Sequence, residues 1–197
     1  MKRTHFLKGF LGLGLLSAWG CQPESKQSKS ETLLANVKGQ VEKESTQLLR
    51  KELTAAWDRS ESMTLKNVTQ MPPEFFTFKY TPEAMSFAEQ WRHCVMYTCG
   101  QLASRADIEN PYENVKLPVQ MPKDDVIKEL KNMYNFVRQT IKDLSEEVLL
   151  GNCDFAGDTI PIWRLIYALE NHIIHHRGQC VVYLRLKEVI PKGFYGW

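Results

Sequence analysis

Apolar residues recur at three- and four-residue steps along four stretches of this chain, and turn-forming residues separate the stretches. The first runs through Val41, Leu48, Leu49, Leu53, Ala56 and Trp57, is expected to end near Met63, and is closed off by Met71-Pro72-Pro73-Glu74. Proline there removes a donor and forces its predecessor out of helical geometry. Phe75, Phe76 and Phe78 fall in the following loop, where they can cover one end of a bundle. Thr81-Pro82-Glu83 reads as a helix start, with Thr81 as cap and proline at the first helical position, and predicts a second helix to about Arg105. Asp124 is the expected cap of a third, whose stripe of Val126, Ile127, Leu130, Met133, Tyr134, Val137, Ile141 and Leu144 stops before Gly151-Asn152. Thr159 and Pro161 open the fourth, with Ile162, Leu165, Ile166, Leu169, Ile173, Cys180 and Leu184 as its buried side. No strand-type alternation, internal repeat or Gly-rich phosphate loop interrupts the pattern. The expectation is an all-α, antiparallel-type four-helix bundle with long loops.

Length and composition suit one globular domain: 197 residues, 43% hydrophobic and 24% charged, exclude a disordered chain and a multi-span membrane protein. The formal charge is +2. Without Lys2, Arg3 and Lys8 the 25 basic residues fall to 22 against 23 acidic, so nothing points to nucleic acid. Residues 1–20 have the layout of an export signal, with a basic start, an apolar core from Phe10 through Leu16 and small residues before Cys21. Ser17-Ala18-Trp19-Gly20-Cys21 is similar to a bacterial lipoprotein box, in which the cysteine thiol is lipidated. It departs from that box at Ala18, where Leu is usual, and at the bulky Trp19; an ordinary signal peptidase would cut at the same bond. Residues 21–40, which begin with a run of Gln, Pro, Glu, Ser and Lys, are expected to form a polar tether, and 41–197 the folded domain. These features predict an exported protein, held at the membrane if Cys21 carries lipid.

The chemistry concentrates in Asn171-His172-Ile173-Ile174-His175-His176-Arg177-Gly178-Gln179, which holds three of the five histidines. On a helix His172 and His176 lie one turn apart on one face, a two-point clamp for a borderline-soft divalent ion; the spacing equally permits His172 with His175. The zinc-peptidase pattern His-Glu-x-x-His is excluded because Ile173 stands where its general-base Glu belongs. A histidine pair bordering a core can also be an ordinary hydrogen-bonded surface feature.

His176-Arg177-Gly178-Gln179, with His172 four residues before His176 and Tyr183-Leu184-Arg185 after, resembles the last helix of the DinB/YfiT-like family. The resemblance spans roughly Leu48 to Trp197 and rests chiefly on His-Arg-Gly-Gln. It implies a four-helix bundle holding a divalent metal, Zn²⁺ or Ni²⁺, through His172, His176 and one histidine of the second helix, here His93 in Phe87-Ala88-Glu89-Gln90-Trp91-Arg92-His93. Periodicity by itself sets His93 on the polar side of that helix with Ser86, Gln90 and Tyr97, opposite the stripe of Ala84, Phe87, Ala88, Trp91, Val95 and Leu102. As a ligand, His93 rests on the resemblance.

The family is described mainly as metal-dependent hydrolases, with relatives that use low-molecular-weight thiols. A metal-dependent hydrolase or thiol-dependent transferase acting on a small molecule is one expectation; a non-catalytic metal- or ligand-binding lipoprotein is the other. Gln179 and Tyr97 are candidates to support the centre, Gln179 by orienting a water and Tyr97 by donating a hydrogen bond. Glu89 and Glu170 are the available carboxylate bases, each also readable as a solvated helix residue. Cys94, Cys99, Cys153 and Cys180 are an even set that could form disulfides, but in a helical bundle they read as buried apolar residues. Trp163 and Val181 lie opposite the buried side of the fourth helix and suggest a homodimer, as the family often forms. The closing aromatics Phe194, Tyr195 and Trp197 read as packing residues.

Overall fold

A computed structural model describes residues 26–192; the stretch expected to be an export signal, Cys21 and the closing aromatics lie outside the described residues. Four long helices carry the architecture: α1 (Lys26–Gln70), α2 (Phe87–Ala106), α3 (Lys123–Asp143) and, after the short α4 (Glu146–Leu150) and a hairpin of β1 (Asn152–Phe155) and β2 (Asp158–Pro161), α5 (Ile162–Leu186). The all-α bundle expected from periodicity is present. The described residues divide into two units, one up to Val41 and one from Glu42 on. In the first, the stretch expected as an unstructured tether is helical from Lys26 on, with side chains 29–41 exposed. Among the described residues no helix is long and apolar enough to cross a membrane.

In the second unit Leu53, Ala56 and Trp57 of α1 are buried as expected, and the helix runs past Met63 to bury Val68 as well. Nothing in residues 63–70 stops it, and Pro72 does. Trp57 meets Tyr134 of α3 edge-on at 5.6 Å between ring centroids. Arg50 donates to the carbonyls of Ile141 and Leu144, taking up free acceptors where α3 ends.

The second helix begins at Phe87, not at Pro82. Ser86 and Glu89 form a capping box: Glu89 N donates to Ser86 Oγ at 3.2 Å and Ser86 N donates to Glu89 Oε2 at 2.7 Å. The amides of Phe87 and Ala88 donate to the carbonyls of Phe78 and Phe76. The aromatic loop thus satisfies the first turn only from Phe87 onward, whereas Thr81 closes a single turn with Ala84. Similarly α3 starts at Lys123, so Asp124 sits inside its first turn, beside the positive end of the helix dipole, with Pro122 at the cap position.

The hairpin is the element the sequence did not announce. Its strands pair antiparallel, Cys153 with Ile160 and Asp154 with Thr159, around Ala156 and Gly157, both at positive φ (54° and 90°). A two-residue loop with both residues left-handed matches the twist of paired strands. Ala at the first loop position, where Asn or Asp is usual, hid the signal. Thr159 caps no helix; its hydroxyl donates to Asp154 Oδ1 at 2.8 Å across the hairpin, and α5 starts at Ile162.

Candidate metal centre

α2 and α5 pack together, and their facing polar positions bring three imidazoles into one group. His172 and His176 come from successive turns of α5, and His93 from α2. The ligand-capable atoms of the three all lie within 4.8 Å of one another, and among the described residues no Cys, Asp or Glu joins them. His93 Nε2 and His172 Nε2 face each other at 3.1 Å, as do His176 Nε2 and His172 Nε2. His93 is therefore no surface residue. Its face of α2, polar in sequence, looks onto α5, and α2 also buries Gln90, Cys94 and Thr98 beyond its apolar stripe.

The donor set fits a divalent ion. His172 has one proton or one in-plane lone pair at Nε2 and can serve one neighbour but not both. Three neutral rings therefore leave at least one of the facing nitrogens unpaired, while a cation where they converge satisfies all three. Tetrahedral metal–nitrogen bonds of about 2.0–2.1 Å put nitrogens roughly 3.3 Å apart, close to the spacing found. Burial holds all three rings below the ordinary imidazole pKa: His93 is lowered by desolvation and by Arg92, and His172 and His176 are each pushed down to about 4 by burial and by their histidine neighbours. The rings are thus in their neutral, metal-competent form at pH 7.

His175, the alternative partner of His172 by spacing, is exposed and outside the group. It accepts from Gln179 Nε2 at 2.6 Å. Gln179 does not face the centre directly; its Oε1 accepts from Gln90 Nε2 at 3.0 Å, and Gln90 Oε1 contacts His176 Nδ1. Tyr97 meets the centre with its ring, which lies 4.3 Å from that of His172, centroid to centroid, and 5.5 Å from that of His93. His172 Nδ1 is buried without a hydrogen-bond partner.

The two carboxylates considered as bases are committed elsewhere. Glu89 forms the α2 capping box and pairs with Lys79 at 3.0 Å. Glu170, expected to be solvated, is buried; desolvation raises its pKa, while Ser60 and Arg177 pull it down. Arg177 is buried too and donates to Ser60 O, Ser60 Oγ and Thr64 Oγ1 at 3.2–3.3 Å. Cys94, Cys99 and Cys180 are buried free thiols as expected, and Cys153 is half-buried in the hairpin. A cleft of about 470 Å³ near the ends of α2 and α3, lined by Ile108, Phe136 and Leu144 among others, contains none of the histidines.

The helical fold and a histidine triad bridging its second and last long helices define the class of the molecule. The chain belongs to the DinB superfamily, whose family model matches residues 56–180. Among solved structures it is similar to a DinB-like protein from Bacillus cereus ATCC 10987, with a TM-score of 0.62 and 20% identity over 74% of this chain and 97% of that one. It is also similar to the DinB-like protein YjoA from Bacillus subtilis, with a TM-score of 0.60 and 18% identity over 73% of this chain and 97% of that one. At these identities the likeness concerns the fold. None of the curated proteins compared with the chain matches it.

Proposed function

We propose that the chain holds one divalent ion, Zn²⁺ or Ni²⁺, through His93, His172 and His176, and acts on a small molecule as a metal-dependent hydrolase or thiol-dependent transferase. The observation that carries this reading is the convergence of three desolvated imidazoles whose Nε2 atoms face one another. An ion held by three neutral ligands keeps positions for water or substrate and supplies Lewis acidity there. Tyr97 walls the side of the centre next to His172 and His93.

A specific observation favours the second reading, a non-catalytic metal- or ligand-binding protein. Among the described residues no carboxylate belongs to the histidine group, and both Glu89 and Glu170 are engaged away from it. Metal analysis of the purified chain from Cys21 onward tests the ion itself, with about one per chain expected; a folded chain without metal after loading overturns the metal centre and the metal-dependent enzyme, and leaves only a metal-free ligand-binding protein. The Co²⁺ spectrum then divides them. A catalytic centre changes its d–d bands when small anions or thiols are added and turns over a panel of activated esters, amides and electrophiles. Binding with neither response leaves the non-catalytic reading.

Export and attachment at Cys21 are supported by the basic, apolar and small-residue segments before it. Cys21→Ser releases or mislocalises the protein if the cysteine is lipidated, whereas wild-type chain that takes up no labelled fatty acid is exported by an ordinary signal. A homodimer is supported by the apolar residues that α5 leaves exposed, among them Tyr167, Ile174 and Val182. A monomer in light scattering at micromolar concentration would contradict it.

A further inference from the structure

We propose that Gln90 is the positioning residue of the centre, holding His176 through a one-way chain of hydrogen bonds that continues through Gln179 and ends at the surface imidazole of His175. The purpose of this chain rests on the metal reading above, whereas its existence rests on side chains that are not ligands. Gln90 is only 3% exposed. A buried carboxamide without partners is costly, and its partners here are specific: His176 Nδ1 at its oxygen and Gln179 Oε1 at its nitrogen, 3.0 Å away. Gln179 Nε2 in turn lies 2.6 Å from His175 Nε2.

A carboxamide accepts at one end and donates at the other, so two of them in series between two imidazoles admit two self-consistent directions. In one, His176 Nδ1–H donates to Gln90 Oε1, Gln90 Nε2–H to Gln179 Oε1, and Gln179 Nε2–H to His175 Nε2. In the other, both amides are turned over and His175 becomes the first donor. A neutral imidazole has one ring proton. In the first direction it sits on His176 Nδ1 and leaves the Nε2 lone pair aimed at His172 and His93; in the second it sits on Nε2 and blocks the centre. Only the first is compatible with an ion, and it is the direction seen. The remote nitrogen of a metal-binding histidine ordinarily donates to such an acceptor, which fixes both tautomer and ring orientation.

Spacing explains how the chain is built. Gln90 precedes His93 by three residues, so α2 sends both to the same interface. Gln179 follows His176 by three and His175 by four, which places it between the buried ring and the exposed one. His172 offers the contrast, because its Nδ1 is buried with no protein partner. Of the two α5 rings, His176 is the one whose direction the protein sets.

The test uses Gln90→Leu, Gln90→Glu and Gln179→Leu in the full mature chain, with Zn²⁺ or Ni²⁺ as the probe and far-UV spectra and urea midpoints as checks on folding. Gln90→Leu should weaken metal binding roughly 10- to 100-fold. Gln90→Glu should bind within a few-fold of wild type, since a carboxylate oxygen accepts the same Nδ1–H. Imidazole ¹⁵N spectra of the metal-free wild type should show His176 protonated at Nδ1, with Nε2–H appearing in Gln90→Leu and, to a smaller extent, in Gln179→Leu. Wild-type affinity in folded Gln90→Leu, a Gln90→Glu variant as weak as Gln90→Leu, or a wild-type His176 protonated at Nε2 overturns the proposal. An unchanged tautomer in Gln179→Leu overturns the chain beyond Gln90. Should the wild type take up no metal, the functional reading fails by itself, and the tautomer measurement still decides the role of Gln90. If Gln90→Leu does not fold, Gln90→Glu and Gln179→Leu carry the same decision.

Discussion

Neighbouring residues of α5, His176 and Arg177, enter two different buried polar clusters. Arg177 is a donor-only, permanently charged group surrounded by acceptors: the Ser60 carbonyl and the hydroxyls of Ser60 and Thr64, which also contact the Tyr134 hydroxyl at 3.2 and 2.8 Å. Its bonds tie α5 to α1, and Tyr134 links them to α3. The histidine cluster has the opposite character. Its groups are neutral, their Nε2 atoms converge, and desolvation opposes charging any of them. The Arg177 cluster ties α5, α1 and α3 together through its own residues, although Arg177 Nε is buried without a partner; the histidine cluster, on the reading proposed above, is completed by a cation. Burial alone therefore does not distinguish the two clusters; the character of their groups does, one donor ringed by acceptors against three ring nitrogens that face one another.

That contrast can be broken in four places. The largest effect is expected at the ligands: His172→Ala or His176→Ala should take metal content from about one ion per chain to none, while the urea midpoint of metal-free His172→Ala, which removes no hydrogen bond to Gln90, stays near wild type at about pH 7. A large loss of metal-free stability would make the histidines structural. Next, Arg177→Met should cost about 2–4 kcal/mol in urea unfolding, from charge-assisted hydrogen bonds worth roughly 1.5–3 kcal/mol each that are partly offset by apolar filling. Its folded fraction should still load metal; loss of metal at unchanged stability would reverse the assignment.

The third effect is a pH dependence. His172 and His176 have folded pKa values of about 4 against 6.5 for the ordinary ring, so the unfolded chain binds more protons between those limits. Metal-free stability should be unaffected by these residues above about pH 6.5, fall as pH drops below it, and stop falling on their account below about 4. His172→Ala should flatten that slope, and an equal slope in both proteins would show the rings are not desolvated. Because protonation of the folded rings is displaced downward, metal should also be retained below pH 6.5, where ordinary imidazoles release it. The smallest effect is expected for His175→Ala, which removes the outer end of the Gln179 contact. Metal content should remain about one ion per chain with affinity within a few-fold, and stripping of the ion would move the ligand set to the other spacing.

Local pattern determined much of this molecule. Heptad-like recurrence of apolar residues specified the long helices of the bundle, because one face of each must be buried whatever it packs against, and the clean stripe of α3 survives into the core almost residue for residue. The one-turn spacing of His172 and His176 likewise placed both on one side of α5 before any partner was known. Boundaries were less legible where two local signals competed. Thr81-Pro82-Glu83 reads as the helix start, but the carbonyls of Phe76 and Phe78, brought there by the loop, and the Ser86–Glu89 capping box put it at Phe87. The polar face of α2 was decided by tertiary structure alone. Periodicity measures how apolar a face is, and a face that meets polar residues of another helix looks the same as one that meets water. His93 and Gln90 are buried against α5 because His172, His176 and Gln179 lie opposite them, an arrangement that depends on residues 79 or more apart in the chain meeting in one register of the two helices.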